Sequence, residues 1–377
     1  MKRVPLSIVH TESSLGWGGQ EIRILTEAQG LIGRGHRVRL LCPANARIHA
    51  EAPRYGVPVE ALPIGRKNLA GLNALMGWYR EHREDARPDV FNTHSSTDSW
   101  LVALAMLMQG RPVPIVRTRH ISAPVPRNAA TRWLYASAAS RIVTTGETLR
   151  RTLSEDNGYP AERIVSVPTG IDTQRFQPAA HAEARIAARA RLGLPAEATL
   201  VGIVATLRSW KGHLYLLDAF AGLPADTALV IVGDGPQREA LEKQVAELGL
   251  QGRVFMPGNQ NDVVPWLQVM DVFALPSYAN EGVPQALIQA MLTALPCVTT
   301  TAGSIAELAL HEETALVVPA QDAAALRAAL VQLIAHAGLR AGLGAAARVH
   351  CLKRFSLERM LDDMEAVFAA AVGEGRA

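Results

Sequence analysis

The sequence predicts an α/β protein built from two doubly wound domains, each a parallel sheet covered by helices, and three observations carry that expectation. Short apolar runs alternate with amphipathic helical patterns from the start of the chain. The alternation breaks near Val167-Pro168-Thr169-Gly170-Ile171-Asp172, then begins again. At 377 residues, the chain exceeds what one ordinary core requires. Both halves are therefore read as Rossmann-like, and two such lobes imply a cleft. The expected boundaries are a first domain over 1–172, a second over 173–355 and a closing helix over 356–377 that packs back on the first.

In the first half, Val4–Val9 reads as a strand leading to a helix from Gln20. Further strands are expected at Arg37–Leu41, Val57–Leu62, Val90–Asn92, Ile115–Arg117 and Ile142–Thr144, with helices around Ala70–His82 and Asp98–Met108. After the break, an Ala/Arg-rich helical stretch runs to Gly193. Strands follow at Leu200–Ala205, Ala228–Val232, Val254–Met256, Val272–Leu275, Cys297–Thr300 and Ala315–Val318. The last helix, about Leu357–Ala371, carries Leu357, Met360, Leu361, Met364, Val367 and Phe368 as an apolar stripe at helical spacing.

Composition narrows the function classes. Nearly half the residues are apolar and 19% are charged, which is globular rather than disordered composition. No apolar run reaches the roughly 18 residues of a membrane span. Met1-Lys2-Arg3 has the charge of a signal peptide, but the apolar stretch behind it ends at Val9, so it reads as the start of a strand. The three cysteines, Cys42, Cys297 and Cys351, are scattered, which fits neither a disulfide framework nor a zinc site and suits a reducing cytoplasm. The formal charge of +3 is uneven: residues 1–175 hold 23 Lys/Arg against 15 Asp/Glu, residues 176–377 hold 15 against 20. The basic first half is either ordinary surface variation or a surface for something anionic, such as a phospholipid headgroup or a phosphorylated acceptor.

Ligands of doubly wound folds bind beyond the carboxyl ends of the strands, so the loops there matter most. After Leu200–Ala205, Arg208 and Lys211 stand three residues apart before a helix. A diphosphate suits them, Arg binding oxygens as a planar fork and Lys as a point charge, although two solvated cations would look the same. Gly233-Asp234-Gly235-Pro236 is a turn that allows close approach to a ligand. In Pro276-Ser277-Tyr278-Ala279-Asn280-Glu281-Gly282-Val283-Pro284, the N–H groups of Gly282 and Val283 at the head of the helix Gln285–Leu295 form an anion pocket. Glu281 at its mouth is suited to accepting hydrogen bonds from sugar hydroxyls, or is an ordinary acid in a first helical turn.

Arg208 with Lys211-Gly212, then Gly233-Asp234-Gly235-Pro236, then Glu281-Gly282-Val283-Pro284 running into Ala290-Met291, resemble glycosyltransferase family 4 in order and spacing. Gly16-Trp17-Gly18-Gly19-Gln20-Glu21 and Val167–Asp172 extend the likeness over essentially the whole chain. The resemblance implies the GT-B fold, a nucleotide-diphosphate sugar as donor and retention of anomeric configuration. It implies that Arg208 and Lys211 neutralise the diphosphate, that Glu281 holds the donor sugar and that His120 faces the sugar from across the cleft. Gly18 and Gly19 would approach the phosphates or the sugar, and Met256 and Val263, within Val254–Gly258 and Asn261–Val263, would lie near the base. Glu21, His94 and Arg119 are expected on the acceptor side. One position departs from the family pattern: Gln289 stands where a second glutamate is common. A carboxylate accepts from both ribose hydroxyls, whereas an amide has one acceptor oxygen, so a changed ribose contact is expected.

No metal or cofactor is expected, since no D-x-D-type acidic cluster stands out and two cations are available instead. The expected acceptor is a glycan or lipid-linked molecule, as in lipopolysaccharide or cell-surface polysaccharide synthesis, with no nucleic-acid partner. Trp133 and Tyr135 among the arginines of Arg127–Arg141 suggest peripheral contact with an anionic membrane, on the inner face of the cytoplasmic membrane. Three rivals stand beside this reading: an epimerase of the same fold, a nucleotide-sugar binding protein suggested by Gln289, and, last, a dinucleotide oxidoreductase, for which a full G-x-G-x-x-G is missing.

Overall fold

The computed structural model describes residues 4–376 except Asp85, Ser122 and Asn280. The basic start Met1–Arg3 and the Asn280 position of the third loop lie outside the described residues. The chain divides into two compact units, 1–170 with 357–377, and 171–356. These bounds differ by two residues and one residue from those read in the sequence. The reason is local: Ile171 N donates to Phe355 O at 2.9 Å and Ile171 bridges Ser356, so both crossing strands belong to the second unit.

The first unit holds seven parallel strands, β1 (Ser7–Thr11), β2 (Arg37–Cys42), β3 (Val59–Ala61), β4 (Val90–Thr93), β5 (Ile115–Arg119), β6 (Arg141–Thr144) and β7 (Ile164–Ser166), in the order β3-β2-β1-β4-β5-β6-β7. The second holds six, β8 (Thr199–Val204), β9 (Thr227–Val232), β10 (Val254–Gly258), β11 (Val272–Leu275), β12 (Cys297–Thr299) and β13 (Leu316–Val317), in the order β10-β9-β8-β11-β12-β13. Every pairing in both sheets is parallel. Near-continuous Val/Ile/Leu runs build these strands because helices cover both faces.

Two strands start later than expected for one reason. Pro5 and Pro58 cannot donate to a ladder, so pairing begins beyond them, at Ser7 and Val59. Val4 is accordingly 75% exposed. The three-residue β7 was not foreseen.

Each order reverses once, between β1 and β4 and between β8 and β11. At such a switch point the loops leaving the two strands diverge to opposite faces and open a crevice. The last helix, Leu357–Arg376, belongs to the first unit and closes its core, with Met360, Leu361, Met364, Val367 and Phe368 all buried beside Ile24, Leu31 and Val38. Arg34 binds three of its acids, Glu358 at 2.6 Å, Asp362 at 2.8 Å and Glu365 at 3.1 Å. Among the described residues no single helix is long and apolar enough to cross a membrane.

Candidate active site

In the second unit, four loops at the carboxyl ends of neighbouring strands are laced together. Leu207, fully buried, anchors the loop after β8; its N–H donates to Asp234 O at 3.0 Å and its carbonyl accepts from Gln237 N at 3.0 Å. A Cβ at Gly233 would stand 1.9 Å from Ala205 O, and one at Gly235 would stand 2.8 Å from Leu207 O. Their φ values, +141° and +157°, are also ones that side chains rarely adopt. Both glycines are thus required by their close approach to the loop after β8. The helix after them begins at Arg238.

Arg208 caps a 3₁₀ turn, Ser209–Lys211, that stands just before the helix His213–Phe220. Arg208 is exposed, its guanidinium 5.7 Å from the Trp210 ring centroid, with no acid in ion-pair range among the described residues. The turn ends at Gly212, with φ +78°, where a Cβ would meet Pro276 O at 2.1 Å. Tyr278 N donates to Trp210 O at 2.9 Å, so the loops after β8 and β11 are locked across the switch point.

That lock brings Lys211 to Glu281, 70 residues away in sequence. Nζ and Oε1 are 2.6 Å apart, with the side chains 17% and 6% exposed. The backbone of Glu281 is held in turn by Gly303 after β12, where a Cβ would stand 1.9 Å from Glu281 O. Gly303 was not singled out in the sequence; only the contact with a loop 22 residues earlier shows why it is glycine.

Gly282 is half-buried, Val283 packs into the core, and Pro284 caps the helix Gln285–Leu292, three residues shorter than expected. Gln289 is half-buried on that helix. Met256 on β10 and Val263, which caps the helix Val264–Val269, lie toward the edge of the sheet, with β9 between β10 and β8. Met256 also lines an apolar groove of about 370 Å³ with Leu194, Phe255 and Trp266.

In the first unit, the switch point gathers the loop after β1 and the residues just beyond β4 and β5. Gly18 caps the helix Gly19–Gly33 in extended backbone, and a Cβ there would meet nothing nearer than Glu21 Oε2 at 3.8 Å. Unlike Gly233, Gly18 is not required by its own protein neighbours. Glu21 is buried in the first turn of the same helix. His94 and His120, read separately from the sequence, form one hydrogen-bonded row, His94 Nδ1 to His120 Nε2 at 2.9 Å. A third histidine, His10 on β1, joins them through Nδ1 to His94 Nε2 at 2.9 Å.

Glu12 is a further residue that sequence reading passed over. It is fully buried and accepts from Ser14 N at 2.7 Å and from Ser95 Oγ and the Gln20 amide. Burial, then the neighbouring Asp98 charge, pushes its pKa from an ordinary 4.5 up to about 8. Asp98, raised by burial to about 6, accepts from Thr11 Oγ1 at 2.8 Å and from the backbone N–H groups of His94 and Ser95 at 2.9 Å. The sequence signal for Glu12 is polarity directly after an apolar strand, and for Asp98 the Ser95-x-x-Asp98 spacing of a capping box.

Two expectations on this unit are corrected. Tyr135 does not face a membrane: it is 2% exposed, stacked on Tyr159 at 5.0 Å and covered by the Arg117 guanidinium at 4.8 Å. Trp133 is half-buried and stacks on Trp100 at 5.8 Å. The helix Ala129–Trp133 passes into a π-helical turn at Leu134–Ala138, in which Leu134 and Tyr135 are both buried. Arg119, expected on the acceptor side, spends its guanidinium inward, on Tyr135 Oη at 3.3 Å and on Ala123 O.

The chain matches the family profile described as Glycosyltransferase Family 4 over residues 17–175 and that described as Glycosyl transferases group 1 over residues 198–336. It is 31% identical to a D-inositol 3-phosphate glycosyltransferase of Salinispora tropica, over 99% of this chain and 85% of the relative. A glycosyltransferase of Rickettsia africae has the same fold, with a TM-score of 0.87 at 20% identity, covering 98% of this chain and 99% of that one. So does Anabaena HepE in complex with UDP-glucose, with a TM-score of 0.85 at 22% identity and coverage of 97% and 99%. Two doubly wound parallel units, family motifs at both switch points and relatives matched along nearly their full length converge: this chain is a glycosyltransferase of the GT-B fold and belongs to glycosyltransferase family 4.

Proposed function

We propose that the enzyme transfers a sugar from a nucleotide-diphosphate sugar, held by the second unit, to a glycan or lipid-linked acceptor bound by the first. The carrying observation is the Lys211–Glu281 pair at the β8/β11 switch point, three residues from Arg208, which has no acid in ion-pair range among the described residues. The ammonium and carboxylate satisfy each other. An arriving diphosphate competes for Lys211, and the sugar hydroxyls compete for Glu281. The 2.6 Å salt bridge, a cation beside an acceptor of hydroxyls, supports assigning this spot to the junction of sugar and phosphate.

Chemically, the anomeric C–O bond to the diphosphate breaks and the acceptor oxygen bonds to the same carbon. Attack on the face that the diphosphate leaves gives retention, with the acceptor's proton passing to the departing phosphate oxygen. Arg208 and Lys211 stabilise the charge growing on that group, a role otherwise open to a divalent ion. Gly18, Gly19, Glu21 and His120 form the sugar and acceptor side, with His94 behind His120.

The UDP-glucose complex of Anabaena HepE makes UDP the first base to try, and the inositol phosphate in the Salinispora tropica relative's name supports a phosphorylated acceptor for the basic first unit. A cell-surface or lipopolysaccharide glycan at the cytoplasmic face of the membrane is the wider setting we propose. Calorimetric titration against UDP-, GDP- and ADP-linked sugars tests the donor: saturable binding of one of them is expected, and binding of none refutes the reading. Release of an epimerised sugar with no acceptor added would favour an epimerase instead.

A further inference from the structure

The three histidines of the first unit form a row whose inner end is closed. His10 is fully buried on β1, and its Nε2 has no hydrogen-bond partner among the described residues. Its ring lies nearly coplanar with that of His94, with centroids 5.2 Å apart and planes at 13°, as an in-plane hydrogen bond requires, and makes a T-shaped contact with Phe368 of the last helix at 6.5 Å. His94 is 4% exposed and His120 9%, so the row runs from the core of the unit outward to the loop after β5.

The backbone at both outer positions is fixed. His94 N donates to Asp98 Oδ2 at 2.9 Å, and His120 O accepts from Thr145 Oγ1 at 3.1 Å.

Burial lowers the pKa of all three rings, and the charges of Arg23 and Arg117 add to the effect at His94 and His120. All three are therefore neutral at pH 7, each with one N–H and one bare nitrogen. Two hydrogen bonds in line then allow two directions. If the row points inward, His10 carries its proton on Nε2, a buried N–H without an acceptor. If it points outward, His10 donates through Nδ1 and leaves only a bare lone pair inside. Orphaned buried N–H groups are the rarer and costlier defect. The outward direction prevails, and the outermost ring then accepts at Nε2 and carries its proton on Nδ1.

We propose that His120 meets its ligand as an Nδ1–H hydrogen-bond donor to an oxygen of the transferred sugar, and that His94 and His10 are positioning residues holding it in that tautomer. The ligand half rests on the donor reading above. The tautomer half stands on the row alone. A ring held this way does not act as a base toward the acceptor, in keeping with a proton that leaves on the phosphate.

The test is two-bond ¹H–¹⁵N correlation on the full chain labelled with ¹⁵N-histidine, without ligand, at pH 7.5. His120 is expected as a single Nδ1–H tautomer; an Nε2–H form or an imidazolium overturns the proposal. His94→Phe fills the volume and breaks the row, and His94→Asn returns an amide donor near Nδ1. The first should mix the His120 tautomers and lower kcat by roughly three- to tenfold, the loss of one neutral hydrogen bond, with donor KM changed less. The second should restore both. Unchanged tautomer and kcat in His94→Phe overturn the positioning role, and His10→Phe makes the same test should the first variant not fold. Titration with UDP-glucose separates the two halves. A sugar nucleotide that binds but leaves the His120 Nδ1–H signal unmoved overturns the ligand half, whereas one that does not bind at all counts against the donor reading and leaves the tautomer result standing.

Discussion

Replacing Lys211 by methionine removes the ammonium while keeping most of the aliphatic stem, and its effects on folding and on turnover separate. Without a partner, the Glu281 carboxylate stays in a site where its side chain is 6% exposed. Breaking a fully buried pair costs about 3–5 kcal/mol, and Lys211 at 17% exposure lets water reach the vacated position, so we expect about 2–3 kcal/mol. In a unit this long, each kcal/mol shifts the melting temperature by about 2–4 °C, which puts the second unit's transition about 4–12 °C lower. Turnover should fall further than the stability loss explains. One preorganised donor on a developing anion is worth about 10²–10³ in rate. The assay is sugar transfer, or slow donor hydrolysis, at saturating donor and 20 °C, with folded protein confirmed by circular dichroism. Glu281→Gln should melt nearer to the parent, since an amide still accepts from Lys211. A Lys211→Met enzyme that melts normally and turns over normally would refute both the pair and its assignment to the diphosphate.

Four further outcomes follow from the same structure. Glu12 has a folded pKa raised from 4.5 to about 8, so its contribution is complete below pH 4.5 and is lost as pH rises toward 8; it should add a downward slope of up to about 1.4 kcal/mol per pH unit to thermal melts there, and Glu12→Gln should be shallower by that amount while keeping the slope from Asp98. His10 has the opposite sign, its pKa lowered from 6.5 to about 3, so its contribution is present above pH 6.5 and is lost as pH falls toward 3, a limb that His10→Phe should flatten. Gly303→Ala places a Cβ 1.9 Å from Glu281 O at φ +58° and should weaken sugar-nucleotide affinity by roughly tenfold, or about 1.4 kcal/mol, in calorimetry, without touching the ligand. Transfer in excess EDTA should match transfer without it; a loss restored by Mg²⁺ would mean that Arg208 and Lys211 do not carry the phosphate charge alone.

The fold was legible because its signal is local and repeated. Buried parallel strands read as apolar runs, and the stripe from Leu357 to Phe368 marked a helix with one face to hide, which the core of the first unit receives. Strand starts were misjudged where Pro5 and Pro58 withhold a donor, an error of local chemistry. The site was legible where a motif is contiguous, as with Arg208 and Lys211. It was opaque where function depends on partners distant in sequence: His10 and His94 are 84 residues apart, and Gly303 has meaning only against the Glu281 carbonyl. Tyr135 misled for a related reason, since an aromatic among arginines reads alike at a surface and in a core, and the partners that bury it, Tyr159 and Arg117, lie elsewhere in the sequence.

The last helix also sets an order of events during synthesis. The first unit lacks one wall of its core until residues 357–376 have been made, whereas the second is a single uninterrupted stretch, 171–356. At about 5–20 residues per second, the half that leaves the ribosome first waits roughly 10–40 s for its closing segment. During that interval Ile24, Leu25, Leu31 and Val38, buried in the finished protein, have no lid from Met364 and Phe368. The early half is thus the natural client for a chaperone. The later half can fold as soon as it emerges.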